Sequence, residues 1–143
     1  MKKALVAVLI FVLSGCSSSD ASVKTISELN DAATPAGTYE VAGYLVLLDD
    51  CGFCPPGAAC EVCAGPVFSV LAETRDRVIE WSAASQEIVA QLRADDLLLS
   101  VNLEDEDQLE QGMRHLMTVD LADLTPYGGS NRLATVLEFS ERP

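Results

Sequence analysis

Residues 51–63 constrain the fold of this chain most strongly, because they hold four of its five cysteines as two C-x-x-C pairs, Cys51 with Cys54 and Cys60 with Cys63. The same segment contains two glycines and a Pro-Pro pair. Proline removes a backbone donor and breaks helices, so neither a helix nor a regular strand fits this composition. We predict a loop that disulfides, a metal ion or a reversible dithiol holds together.

The N-terminus carries an export signal. Lys2 and Lys3 precede an apolar run over residues 4–13, which is shorter than the roughly 20 residues that a membrane-spanning helix needs. The run ends in Leu13-Ser14-Gly15-Cys16, and this quartet resembles the lipobox of bacterial lipoproteins at all four positions. The resemblance implies that the signal peptide is residues 1–15.

By the same resemblance, Cys16 becomes the first residue of the mature protein, with diacylglycerol on its thiol and a fatty acid such as palmitate on its amine. Several acyl chains are enough for stable anchoring, so the membrane is the expected partner. Ser17 in place of Asp implies the outer membrane, with the body facing the periplasm. Residues 16–23 are then the lipidated cysteine and a polar tether, and residues 24–143 form a single domain.

The beginning of this domain shows two local signals. Thr25 and Glu28 have the spacing of a capping box, which predicts one or two helical turns that cover the body. Residues 38–48 predict a long strand, and its central Gly43 predicts a bulge or sharp bend, as when one strand serves both halves of a small closed barrel. We expect one face of this strand to hold Tyr39, Val41, Gly43, Leu45 and Leu47.

The later elements are predicted from apolar patterning. Residues 66–71 form the second strand, so the cysteine loop connects a hairpin. Residues 77–81 could extend this meander, and the four-residue spacing of Ala84, Ile88 and Leu92 predicts a helix. The acidic residues 104–107 predict a solvated turn or short helix. Further strands are expected at residues 96–101, 116–121 and 132–139.

About five strands with one or two short helices predict a mainly β fold, with an α+β sheet as the alternative. The bent first strand, its hairpin partner and the late strands entered through a Gly-containing turn resemble a small five-stranded barrel of the oligonucleotide/oligosaccharide-binding (OB) type. The resemblance covers residues 38–139. It implies a fold and no ligand.

Nucleic acid is not an expected partner of this chain. Its formal net charge is −13, and removal of Lys2 and Lys3 with the signal peptide changes this to −15 and leaves seven basic residues. Phosphate binding relies on Lys and Arg, and single-strand binders also use aromatic platforms, whereas aromatic residues here are 6%. We expect a soluble acidic surface or one that attracts basic partners.

Disulfides are the preferred explanation for the cysteine loop. Export places it in an oxidising compartment, and four cysteines remain once Cys16 is lipidated. Four cysteines allow three pairings. The stabilisation expected from loop-closure entropy differs by only about 1 kcal/mol between the larger and smaller loops that they close, so it does not choose between them. The nested pairing of Cys51 with Cys63 and Cys54 with Cys60 would clamp the hairpin ends and is the one that we prefer.

Two other uses of Cys51, Cys54, Cys60 and Cys63 remain open. Two C-x-x-C pairs can present four thiolates to zinc, although five intervening residues are fewer than zinc ribbons normally have. Cys51-Gly52-Phe53-Cys54 has the loop length of a thioredoxin-like dithiol, but Pro55 and Pro56 stand where an activating helix would begin. An iron–sulfur cluster fits less well, because it would require loading before export. Otherwise we expect no cofactor.

No catalytic constellation is visible, so we predict a protein that is not an enzyme. His115 is the only histidine, and Gly-x-Ser-x-Gly and phosphate-binding glycine loops are absent. Trp81, Tyr39 and Tyr44 fit a ligand groove or a core equally well. We therefore predict an envelope lipoprotein that acts as a binding or scaffolding module for an unknown envelope protein or ligand, with a zinc-binding or thiol-redox protein as the alternative.

Overall fold

A computed structural model of the chain describes residues 22–48, 67–82, 85–102, 105 and 108–141. These residues form six strands, two short α-helices and one turn of 3₁₀ helix at Pro126–Gly128. The helices are α1 (Ile26–Asn30) and α2 (Ser85–Gln91). The strands are β1 (Ser22–Lys24), β2 (Gly37–Leu48), β3 (Val67–Ala72), β4 (Asp96–Val101), β5 (Arg114–Leu121) and β6 (Leu133–Glu141).

Five of the strands close into a barrel. The order is β2-β3-β4-β6-β5, and β5 pairs again with β2. All pairs in this ring are antiparallel except β4 with β6, which is parallel. The predicted fold class, a mainly β, five-stranded, OB-like barrel with two short helices, is confirmed.

Strand β2 closes the barrel because it pairs on both sides. Gly37 to Tyr44 pair with β5, and Tyr44 to Leu48 pair with β3. At Gly43 the neighbouring chain comes so close that a Cβ atom would lie 2.8 Å from the carbonyl oxygen of Ala72 and 2.8 Å from Cγ of Leu71. The register with β3 also shifts between Leu45 and Leu47. The predicted bend at Gly43 and the hairpin formed by β2 and β3 are confirmed.

The expected facing of Leu47 is wrong. The register shift in β2 places an extra residue between Leu45 and Leu47, so the alternation of side chains inverts there. Val41 and Leu45 point into the barrel, whereas Leu47 joins Val46 in a second apolar cluster outside it. A bulge of this kind leaves no periodic signal in the sequence.

The interior of the barrel is apolar, and α1 covers one of its openings. Ile26 and Leu29 are fully buried and pack in the same cluster as Leu45, Leu71 and Met117. The predicted capping box is present, because the Thr25 hydroxyl accepts from the Glu28 N–H and the Glu28 carboxylate accepts from the Thr25 N–H. The Thr25 backbone N–H, more than any other group, lowers the pKa of Glu28 below its ordinary value.

Strand β1 was not expected from the sequence. Ser22 and Lys24 pair in parallel with Tyr39 and Val41 of β2, along the part of β2 that β3 does not reach. The predicted boundary between tether and domain at residue 23 therefore falls inside β1. Strand β1 begins six residues after Cys16 in the sequence.

We predict that Gly43→Ala lowers the free energy of unfolding by about 1–3 kcal/mol, the usual cost of overpacking a closed core. The added methyl group would meet the Ala72 carbonyl, which belongs to the backbone and cannot rotate away. Urea denaturation measures the effect. Ala42→Ser, which also adds one heavy atom but at a half-buried neighbour, is the matched control. A Gly43→Ala effect within that of the control would contradict the proposed close approach.

Candidate binding surfaces

A long connection covers the outer face of β3 and β4. We call residues 73–95 the strap; its residues 83 and 84 lie outside the described part. Val70 and Leu98 point outward from the two strands, and the strap places Ile79, Ile88 and Val89 over them. All six residues of β4 are consequently buried. The second and third strands of this barrel thus have their outer face occupied by the chain itself.

The strap also corrects one prediction and confirms another. Residues 77–81 are not a strand, since they pair with no other strand and cross the sheet. The helix predicted from Ile88 and Leu92 is present as α2, with Ile88 buried and Leu92 partly buried. Ala84 lies outside the described residues.

A buried ion pair fastens the strap to the barrel. Asp96 at the start of β4 is fully buried, and its carboxylate lies 2.9 Å from Nη2 of Arg77, whose side chain is 10% exposed. The Arg77 guanidinium also donates to the carbonyl oxygens of Val78 and Gln91. The backbone N–H of Arg93 donates to the same carboxylate at 2.8 Å. One carboxylate therefore joins both ends of the strap to β4.

Two side-chain amides extend this network to other elements. Asn30 at the end of α1 and Asn131 before β6 both donate to the Asp96 carbonyl oxygen, at 2.8 and 2.7 Å. Arg132, which is 3% exposed, donates to the carbonyl oxygens of Ala122, Asp31 and Thr34. Arg132 thus satisfies carbonyls after α1, as cations near helix C-termini often do.

The outer face of β2, β5 and β6 carries an acidic groove. A groove of about 180 Å³ is lined by Glu40, Leu116, Thr118, Glu138, Phe139 and Ser140. Glu40 and Glu138 flank Thr118 from the two neighbouring strands. With two carboxylates and no basic side chain in its lining, the groove repels anions such as nucleic-acid phosphates.

A second depression lies between the strap and the barrel. It has a volume of about 210 Å³ and is lined by Val46, Arg75, Arg77, Val78, Ile79, Gln111 and Gly112. Gln111 accepts from the backbone N–H of Leu48, the last residue of β2. This cleft therefore adjoins the position from which the cysteine loop leaves the barrel.

The predicted site residues Cys16, Cys51, Cys54, Cys60 and Cys63 lie outside the described residues. The structure describes the two strands that the cysteine loop joins, which end at Leu48 and begin at Val67. Leu48 pairs with Ser69, two residues after Val67. The loop therefore leaves from and returns to neighbouring strands, while its role stays a prediction.

His115 lies inside the barrel and is fully buried. Its Nε2 lies 3.2 Å from the carbonyl oxygen of Glu110, its ring meets Phe139 edge to face at 6.2 Å, and its Nδ1 has no hydrogen-bond partner among the residues that the structure describes. His115 lies in β5, one residue before the predicted strand. These contacts make it part of the packed interior of the barrel.

The three aromatic candidates separate in the structure. Tyr39 packs against the interior cluster and donates its hydroxyl to the carbonyl oxygen of Pro35, and Tyr44 packs against the outer cluster. Trp81 on the strap is 61% exposed. The three do not line one groove.

Neither of the two helices that the structure describes has the length and apolar character needed to cross a membrane. Within the described ranges, no three His, Cys, Asp or Glu side chains are grouped as the ligands of a metal ion would be.

Comparison with known proteins supports the barrel class and goes no further. The sequence matches no protein-family model and no curated protein. One similar solved structure is that of a protein assigned as an aspartyl-tRNA synthetase from Leishmania major Friedlin, with a TM-score of 0.50 and 10% identity. The match covers 90% of this chain and 22% of that chain. Such a likeness shows a shared fold alone.

The sequence pattern does not reveal the residues that hold the strap. Asp96 and Asn131 are buried and the Arg77 side chain is 10% exposed, yet each looks like an ordinary polar residue in its sequence context. One signal was available for Asp96, because it directly precedes an apolar run that was recognised as a strand. Its partner Arg77 is 19 residues away, and only the fold reveals the pairing.

We predict that Arg77→Met destabilises the protein by about 3–5 kcal/mol, because it leaves the Asp96 carboxylate buried and unpaired. Limited proteolysis should then cut within the strap before the barrel strands. Arg75→Met, at an exposed position two residues away, is the control and should change neither stability nor cleavage. Equal behaviour of the two variants would contradict the fastening role of the ion pair.

Proposed function

We propose that the protein is an envelope lipoprotein, anchored through Cys16 and exposed to the periplasm, whose OB-like barrel acts as a non-catalytic binding or scaffolding module. One observation carries this proposal. Strand β1, which pairs with β2 of the barrel, starts at Ser22, so only five residues separate the lipobox cysteine from a folded domain. A short polar tether between a lipid and a compact body is the arrangement that membrane display requires.

The two ends of the barrel give the proposal an orientation. Because β1 runs parallel to β2, the tether enters beside the start of β2, near Tyr39. The cysteine loop leaves from the other end of β2, after Leu48. An anchor on Cys16 therefore favours presentation of the cysteine loop on the side that faces away from the bilayer.

The electrostatics support a partner other than nucleic acid. In OB-type barrels, oligonucleotides and oligosaccharides bind the face of the second and third strands together with adjacent loops. Here the strap occupies that face, and the groove on the outer face of β2, β5 and β6 carries Glu40 and Glu138. We propose a protein or ligand of the envelope as the partner, recognised by the surfaces that remain open.

A second candidate function rests on the two C-x-x-C pairs. The loop that carries their four thiols joins Leu48 to Val67 on neighbouring strands, and four thiols in one loop suit a zinc site or a redox dithiol as well as two disulfides. Export favours the disulfides, and then the loop stabilises the binding surface at this end.

The anchor is tested by replacing its cysteine. We expect Cys16→Ala to release the protein from the membrane fraction or to leave it as an unprocessed precursor, because no thiol is available for acylation. Fractionation with intact-mass analysis of the product measures both outcomes. Ser18→Ala, which changes the tether alone, is the control and should stay membrane-bound. Membrane retention of a processed Cys16→Ala protein would refute the lipoprotein assignment.

The chemistry of the cysteine loop is tested by mass before and after reduction and thiol alkylation. We expect a native protein short by four hydrogens and free of metal, and peptide mapping should join Cys51 to Cys63 and Cys54 to Cys60. Four free thiols with stoichiometric zinc would favour the second function. A pair that exchanges readily with glutathione would favour a redox role.

A further inference from the structure

The end of the barrel at which the tether enters carries an exposed apolar tip. We call residues 122–132, which join β5 to β6, the connector. Within it, Leu124 is 54% and Tyr127 is 39% exposed. Asp123 is its only acidic residue, and the basic Arg132 is buried. In a chain with a net charge of −13, the connector itself is poor in charge and presents two large, partly exposed apolar side chains.

The backbone at Tyr127 adopts an uncommon conformation. Its φ of 57° and ψ of 26° lie in the left-handed region, which a bulky side chain rarely adopts. The turn is closed by the Gly129 N–H, which donates to the Pro126 carbonyl oxygen at 3.1 Å. It is backed by α2, because Val89 lies where a Cβ on Gly129 would be. Backbone strain of this kind is retained where a side chain is needed in one place.

The connector lies on the same end of the barrel as the tether. Ser22 pairs with Tyr39, and Tyr39 pairs with Val119. Two strand spacings and two further residues place Leu121 about 12 Å from Ser22. Leu124 follows within three residues, and its carbonyl oxygen accepts from the Leu133 N–H at the start of β6.

The tether and the connector cover comparable distances from Ser22. Six residue steps separate Cys16 from Ser22, and they span at most about 20 Å when fully extended. Leu121 lies about 12 Å from Ser22, and Leu124, three residues further along the chain, adds at most about 10 Å. A lipid on Cys16 therefore allows the bilayer surface to come within reach of Leu124, and the same connector carries Tyr127 three residues later.

We propose that Leu124 and Tyr127 dock into the interfacial layer of the bilayer to which Cys16 is anchored. The proposal rests on the lipidation of Cys16 proposed above. Tyrosine and leucine suit this layer. The tyrosine ring is apolar and carries a polar hydroxyl, and leucine is an apolar side chain that amphipathic helices bury at the boundary between headgroups and acyl chains. Docking would fix the orientation of the barrel relative to the bilayer.

Fluorescence quenching by lipid tests this contact. The full chain is expressed, extracted from membranes and shown by intact mass to carry the lipid, then reconstituted into phosphatidylcholine vesicles brominated on the acyl chains. Leu124→Trp in a Trp81→Phe background reports on the connector. Leu137→Trp in the same background is the matched control, since Leu137 is 51% exposed and lies about 13 Å along β6 from its start.

We expect brominated lipid to remove about half or more of the Leu124→Trp emission, as for a side chain buried 5–10 Å into the interface, and to leave the Leu137→Trp emission nearly unchanged. In a contrary outcome, lipidated protein floats with the vesicles and yet shows no quenching of Leu124→Trp, or the same fractional quenching in both variants. Either result would overturn the docking surface and leave the anchor intact. Protein without lipid on Cys16 would overturn both proposals.

Discussion

The double pairing of β2 is the constraint on which the rest of the structure depends. A single strand of 12 residues forms ladders with β5 along its first part and with β3 along its second part. It can do so because Gly43 lets the β3 backbone approach and because the bulge before Leu47 turns the strand. Without this bend the five strands would form an open sheet with two exposed edges.

Closure of the barrel decides which surfaces can bind. The outer face of β3 and β4 is filled by Ile79, Ile88 and Val89 of the strap, and the Arg77–Asp96 pair holds the strap in place. The surface that other barrels of this type use for extended polymers is thus part of the core here. We propose that binding falls to the acidic groove, the cysteine-loop end of the barrel and the connector.

The local features of the fold could be predicted from the sequence. Thr25 and Glu28 formed the expected capping box, Gly43 marked the bend, a short apolar run marked β4, and runs or alternation of apolar residues marked β5 and β6. Each signal lies within a few residues, where propensity and periodicity act directly. The lipobox is equally local, and its role stays a prediction.

The remaining features depend on contacts between distant residues. The inverted facing of Leu47 follows from a bulge that only pairing with β3 imposes. Residues 77–81 have the composition of a strand but cross a sheet whose edges are already paired. The pairing of Arg77 with Asp96 and the contacts of Arg132 with carbonyls near α1 are tertiary. No window of sequence contains both partners of these interactions.

Hydrogen exchange of the full chain tests most directly whether the strap seals the β3–β4 face. If the strap is part of the core, the backbone amides of Leu92 and Arg93, which donate to the Val89 carbonyl and the Asp96 carboxylate, should exchange only through global unfolding, at rates within about tenfold of those in β3 and β4. Rapid exchange of the strap beside slowly exchanging β3 and β4 amides would show that the strap opens and that the face is available to a ligand. That result would contradict the account.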